Sequence, residues 1–110
     1  MDYSGNDFYC DIALKGGASL KKEYESEHVL AYHHTKPHWP VHIVIVPRKH
    51  ILALAELSKD SALLKEMIEA IVTLSAKIEK EYGGARILTN TGKYQDSKHL
   101  HFHITSGEQT

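Results

Sequence analysis

Apolar residues recur along the chain in two rhythms. From Asp60 to Tyr82, Leu64, Met67, Ile68, Ile71, Leu74, Ser75, Ile78 and Tyr82 fall three or four apart, the spacing of one face of a long helix. Ser58 or Asp60 is placed to cap its start, and Gly83-Gly84 to close its end. Elsewhere the rhythm is that of strands. "VHIVIV", residues 41–46, is β-branched apart from His42 and is ended by Pro47. The stretch from Leu20 to Tyr32 divides at Ser26-Glu27 into the two strands of a hairpin, the second reading "HVLAYH". "ARILTN" and "KHLHFHIT" predict two further strands, separated by a polar loop over 91–97. A short helix is expected from Phe8 to Leu14, followed by a loop over 15–19, and "TKPHWP" breaks the pattern with Pro37 and Pro40. Together these elements predict an α+β fold, a mostly antiparallel sheet of about five strands with one long helix against a face and a short N-terminal helix.

With 110 residues, the chain suffices for a single domain over 1–110 carrying one site. Charge narrows the partners. Thirteen Lys and Arg stand against fourteen Asp and Glu, so no strong field is available to hold nucleic acid or an anionic membrane. Cys10 is the only cysteine, which excludes an internal disulfide and a Cys-X-X-Cys zinc module and suits a reducing compartment. No basic stretch leads into an apolar run at the N-terminus, and no segment has the length of a membrane span, so a soluble, cytoplasmic protein is expected.

What solubility and folding do not require is nine histidines. Six of them form two clusters, His33, His34, His38 and His99, His101, His103. In "HLHFHIT", residues 99–105, alternation on a strand sends Leu100, Phe102 and Ile104 to the core and the three imidazoles to the opposite face. A solvated edge is one use of such a row. Metal binding is another, although alternate positions lie roughly 6.5–7 Å apart and the outer pair roughly 13 Å apart, so an ion would take two of the three and need a further ligand such as His42. The third is covalent catalysis, in which a neutral imidazole attacks phosphorus while its other nitrogen is held as N–H. The middle histidine then attacks, and its neighbours donate to phosphoryl oxygens. Spacing alone leaves these three readings open.

The seven residues from His99 to Thr105 resemble the signature of the histidine triad family, His-φ-His-φ-His-φ-φ with φ apolar, departing from it only at Thr105. "VLAYHHTKPHWPVHIVIVPRKHI", residues 29–51, is similar to the family's upstream block, and "TNTG" followed by Gln95 resembles its approach to the triad. The resemblance covers about residues 8 to 107. It implies a homodimer and hydrolysis or transfer at a nucleotide α-phosphate through a nucleotidyl-histidine intermediate. On the matching positions, His101 would be the nucleophile, His99 would orient it or bind phosphate, His103 would contact phosphate and His42 would complete the cluster. Asn90 and Gln95 match polar positions of the phosphate and sugar site.

Among the branches, the short Hint-like phosphoramidases look closest, which implies a purine nucleoside 5′-phosphoramidate as substrate and no metal cofactor. This chain departs from them at two binding positions. His34 stands where the family has a ribose-binding Asp, and Asp96, followed by Ser97, stands where Hint-like members often have a Ser near the leaving amine. A neutral imidazole offers one acceptor and one donor, and a carboxylate repels phosphate unless it meets a cationic amine. A regulatory protein that binds nucleotide with little turnover, and a histidine-based metal-binding protein, are the alternatives. Among the remaining histidines, His28 and His50 read as surface or capping residues, and His38 beside Trp39 as either packing or pocket wall.

Overall fold

The computed structural model describes residues 21–34 and 37–108; the helix expected over Phe8–Leu14, the loop over 15–19 and Cys10 lie outside them. Within that range the chain runs β1 (Lys22–Glu25), β2 (Val29–His33), β3 (Val41–Pro47), a one-turn helix α1 (Leu54–Leu57), α2 (Ser61–Tyr82), β4 (Arg86–Leu88) and β5 (Phe102–Ser106). The five strands form one antiparallel sheet in the order β1-β2-β3-β5-β4. β3 lies at its centre and all seven of its residues are buried, which is why it reads as an almost unbroken β-branched run.

The long helix is defined at both ends by local chemistry. Asp60 accepts a hydrogen bond from the Leu63 N–H at its start, and Gly83, at φ 89°, turns the chain left-handed while its N–H donates to the Glu79 carbonyl. Leu63, Met67, Ala70, Ile71, Leu74 and Ile78 are buried against Val29, Ala31, Ile43, Ile45, Phe102 and Ile104 on one face of the sheet. Each large apolar side chain so buried contributes about 1.5–3 kcal/mol. The buried stripe is rotated from the one expected: Leu63 and Ala70 belong to it, whereas Ile68 and Tyr82 are exposed. Ile68 follows Met67 by one residue, about 100° around the helix, and so falls on the rim.

Outside the core, two charge clusters tie the hairpin to α2. Glu66 accepts from the Ser26 hydroxyl at 2.6 Å and from the His28 backbone N–H at 2.7 Å, and its other oxygen meets His28 Nδ1 at 3.0 Å. Glu23 of β1 bonds both His33 and Lys77. His28 therefore anchors the β1–β2 turn, which is more than the surface role expected of it.

The last two strands are shorter than the hydrophobic pattern implies. β4 ends at Leu88, and regular pairing on β5 begins only at Phe102, so His99 and His101 precede the strand. The partners of this segment explain its departure from the ladder. The Leu100 N–H donates to the Ile51 carbonyl at 2.6 Å, and the Thr89 hydroxyl, in place of a backbone N–H, donates to the His101 carbonyl at 2.6 Å. Pro47, at the end of β3, has no N–H to offer. Residues 99–101 are thus held in extended form by individual bonds. Among the described residues, no helix is long and apolar enough to cross a membrane.

Candidate functional site

The sheet face away from α2 carries the histidines. Cross-strand partners share a face, and the register places Val44 opposite His103 and His103 opposite Leu88. His42, two residues before Val44, lies diagonally across from His103, with ring centroids 4.9 Å apart. His34 continues past β2 through a 2.8 Å bond from its backbone N–H to the His42 carbonyl, and its ring stacks on that of His42 at 4.5 Å. The turn over 37–40 brings the His38 backbone N–H within 3.1 Å of His42 Nδ1 and sets Trp39 edge-on to the same ring at 5.1 Å. His101 meets His103 edge-on at 4.8 Å.

These residues enclose a cavity of about 200 Å³. His34, His38, Trp39, His42, Leu88, Asn90, Asp96, Ser97, His101 and His103 line it, and the strand order sets His42 of β3 and Leu88 of β4 on either side of His103 of β5. Two of the residues predicted for the site lie outside this lining. His99 is fully buried behind the cavity, its Nε2 2.8 Å from the Pro47 carbonyl and its ring edge-on to His50 at 5.0 Å. Gln95 is also buried, and its amide donates to the Leu52 carbonyl at 2.6 Å. Ser97 accepts from the His99 N–H at 3.3 Å. His99 and Gln95 therefore hold the backbone that presents His101, whereas Asn90, Asp96, Ser97 and His34 face the space a ligand would fill.

The hydrogen-bond partners assign the ring tautomers. A carbonyl oxygen only accepts, so His101 Nδ1, 2.9 Å from the His99 carbonyl, carries the proton and Nε2 the lone pair. His42 Nδ1 accepts from the His38 backbone, so His42 Nε2 is the protonated nitrogen and donates to His103 Nδ1 at 2.7 Å. His103 in turn must hold its own proton on Nε2. The result is an oriented relay, from backbone to His42 to His103, with an N–H donor at its end and a ring nitrogen bearing a lone pair beside it.

Electrostatics keep this relay neutral. Burial foremost, and then the neighbouring imidazoles, lower the His42 pKa to about 4 and the His103 pKa to about 3. His34 is also held below its ordinary value, by burial and then by His38 and His101. Among the described residues, no group of three or more His, Cys, Asp or Glu has an arrangement that could hold a metal ion.

The turn around His38 and Trp39 is the part of the site least evident in sequence. Only the shared turn with Pro37 and Pro40, four residues ahead of His42, signals that His38 could reach His42 through its backbone. His50 is likewise more than a capping residue, because its ring packs on His99.

A family model, the HIT domain, matches residues 18–110. An uncharacterized HIT-like protein of Azospirillum brasilense is 30% identical, over 97% of this chain and 90% of its own length. A histidine triad protein from Clostridium difficile superposes with a TM-score of 0.79 at 29% identity, covering 99% of this chain and 96% of its own. A HIT family hydrolase from Legionella pneumophila gives a TM-score of 0.79 at 27% identity, covering 94% and 95%.

Proposed function

Because this chain belongs to the HIT domain family, we propose that it hydrolyses nucleoside monophosphate derivatives at the α-phosphate, with a purine nucleoside 5′-phosphoramidate as the substrate class. The observation that carries this reading is the His101 ring, whose Nδ1–H is fixed on the His99 carbonyl while Nε2 holds a lone pair beside the pocket. In the first step Nε2 forms a bond to phosphorus as the phosphorus–nitrogen bond of the substrate breaks, and the nitrogen takes a proton from solvent as it departs as the amine. In the second, water attacks phosphorus and releases a proton to solvent as the bond to Nε2 breaks, and the nucleoside monophosphate leaves.

His103 donates from Nε2 to a phosphoryl oxygen, and His42 keeps that tautomer in place. His99 is a positioning residue, acting through its carbonyl on His101 and through its side chain on Pro47. Gln95 anchors the loop to Leu52, while Asn90, Ser97 and His34 contact the nucleotide. Asp96, which lines the same cavity, accepts a hydrogen bond from the protonated amine of the leaving group. No step in this scheme calls on a metal, and a chain with a single cysteine is suited to the cytoplasm.

The working unit is a homodimer. Among the described residues β4 is an edge strand paired only with β5, and Ile87 on it is 49% exposed. Antiparallel pairing of this edge with its own copy is closed by a twofold axis and covers backbone groups that would otherwise remain open.

A second reading has a specific observation behind it: the Asp96 carboxylate sits among the residues that would surround phosphate, as suits a protein that binds nucleotide and turns it over negligibly. Release of nucleoside monophosphate from a 5′-phosphoramidate, measured beside binding and in chelator, separates the two. Chelator-resistant release supports the hydrolase; binding without release supports the second reading.

A further inference from the structure

Five imidazoles border the cavity, and the attack and relay described above use three of them, His101, His103 and His42. His34 and His38 remain. Their ring centroids are 6.2 Å apart, and that of His34 lies 6.4 Å from that of His103. Both line the same cavity as His101 and His103, and β3 separates the end of β2, from which His34 continues, from β5.

The chemistry of this pair does not suit an unmodified ribose. Two vicinal hydroxyls are two donors and are best met by a group with several acceptor sites, such as a carboxylate; a neutral imidazole supplies one acceptor and one donor. Among the described lining residues the one carboxylate is Asp96, and none is a Lys or Arg. Imidazoles side by side suit a different group. Each can donate an N–H to an anionic oxygen, and each can take up a proton when an anion arrives.

Resting on the nucleotide reading above, we propose that the pocket is built for a nucleotide carrying a second phosphate on its ribose, at the 2′ or 3′ oxygen, with that phosphate seated on His34 and His38. The 5′-phosphate then lies at His101 and His103, and the sugar bridges the two sites. His34 is positioned for this by its backbone bond to the His42 carbonyl and by stacking on the His42 ring. His38 is positioned through its backbone bond to His42 Nδ1, which leaves the direction of its side chain independent of the relay. Burial and the surrounding imidazoles favour a neutral His34 in the empty pocket. A phosphate dianion reverses that balance, because an adjacent negative charge stabilises the imidazolium.

Calorimetric titration tests this with three ligands: a purine nucleoside 5′-monophosphate and its 2′,5′- and 3′,5′-bisphosphates. One bisphosphate is expected to bind the wild type about tenfold more tightly than the monophosphate, and which one it is identifies the oxygen that carries the second phosphate. His34→Asp should abolish or invert that ratio, because it replaces a donor with a like charge. His38→Gln, at an exposed position, should reduce it. Equal affinities for all three ligands in the wild type, or a preference that survives both substitutions, would overturn the proposal while leaving the nucleotide reading intact. Absence of binding by any of the three would overturn both.

Discussion

His42 Nε2 lies 2.7 Å from His103 Nδ1, and the direction of that bond is set from outside the pair, by the His38 backbone N–H that occupies the other nitrogen of His42. Two rings on neighbouring strands are thereby locked into complementary tautomers, and His103 is left as a donor at the cavity it lines.

That arrangement predicts how His42 can be replaced. In His42→Ala, His103 loses the group that fixes its tautomer, and turnover should fall about 10–100-fold, the range typical of losing a residue that orients a functional histidine. His42→Gln retains an amide donor and should recover part of the loss. Steady-state kinetics on the two variants check this, with the difference expected in kcat more than in KM.

The neutral cluster also makes stability and activity depend on pH with a definite sign. In the unfolded chain these rings titrate near 6.5, whereas in the folded protein His42 titrates at about 4 and His103 at about 3. Between those limits the unfolded state binds more protons, so the stability contributed above pH 6.5 is lost progressively as the pH falls towards 4. His28 acts in the opposite sense: hydrogen bonding to Glu66 raises its pKa, and its contribution is present at low pH and lost as the pH rises through the raised value. His28 is solvent-exposed, so the buried pair dominates. Denaturant unfolding at pH 7.5 and pH 5 should show lower stability at pH 5, with a smaller difference in His103→Gln.

Thr105 is fully buried, and its hydroxyl has no hydrogen-bond partner among the described residues. Thr105→Val keeps the shape and removes a desolvated polar atom, which should stabilise the fold by about 1 kcal/mol. Thermal or urea unfolding reads this directly. A destabilised variant would mean that the hydroxyl is satisfied in solution.

The proposed dimer pairs along the β4 edge. Ile87→Glu places a charge on the surface that pairing would cover and should shift the protein from dimer to monomer in sedimentation, with the secondary structure unchanged. Ile68 and Val72, exposed on α2 and one helical turn apart, are a second apolar strip, and Ile68→Glu tests whether the same interface extends to it.

Much of this architecture is local in origin and therefore visible in sequence. Asp60 and Gly83 mark the ends of α2 because a side-chain acceptor and a left-handed residue are needed there, and Pro47 marks the end of β3. Which residues of α2 are buried was less legible: Ile68 and Met67 are both apolar, and only packing on the sheet decides between them. The limits of β5 depend on partners distant in sequence, Ile51 for Leu100 and Thr89 for His101, which no alternation pattern encodes. The same is true of the site. The row of His99, His101 and His103 stands out in the sequence, but the separation of His99 from the pocket depends on the Pro47 carbonyl, 52 residues away. The entry of His34 and His38 into the pocket depends likewise on their backbone bonds to His42.

The central claim is that His101 Nε2 becomes bonded to phosphorus. The most direct test mixes the protein with a nucleoside 5′-phosphoramidate, quenches within the first turnover under conditions that preserve phosphorus–nitrogen bonds, and maps any added mass by peptide mass spectrometry. A nucleotidyl group on the peptide containing His101, absent from His101→Asn although that variant still folds and binds nucleotide, is the predicted result. Turnover by His101→Asn at the wild-type rate, or an adduct on another histidine, would contradict the account.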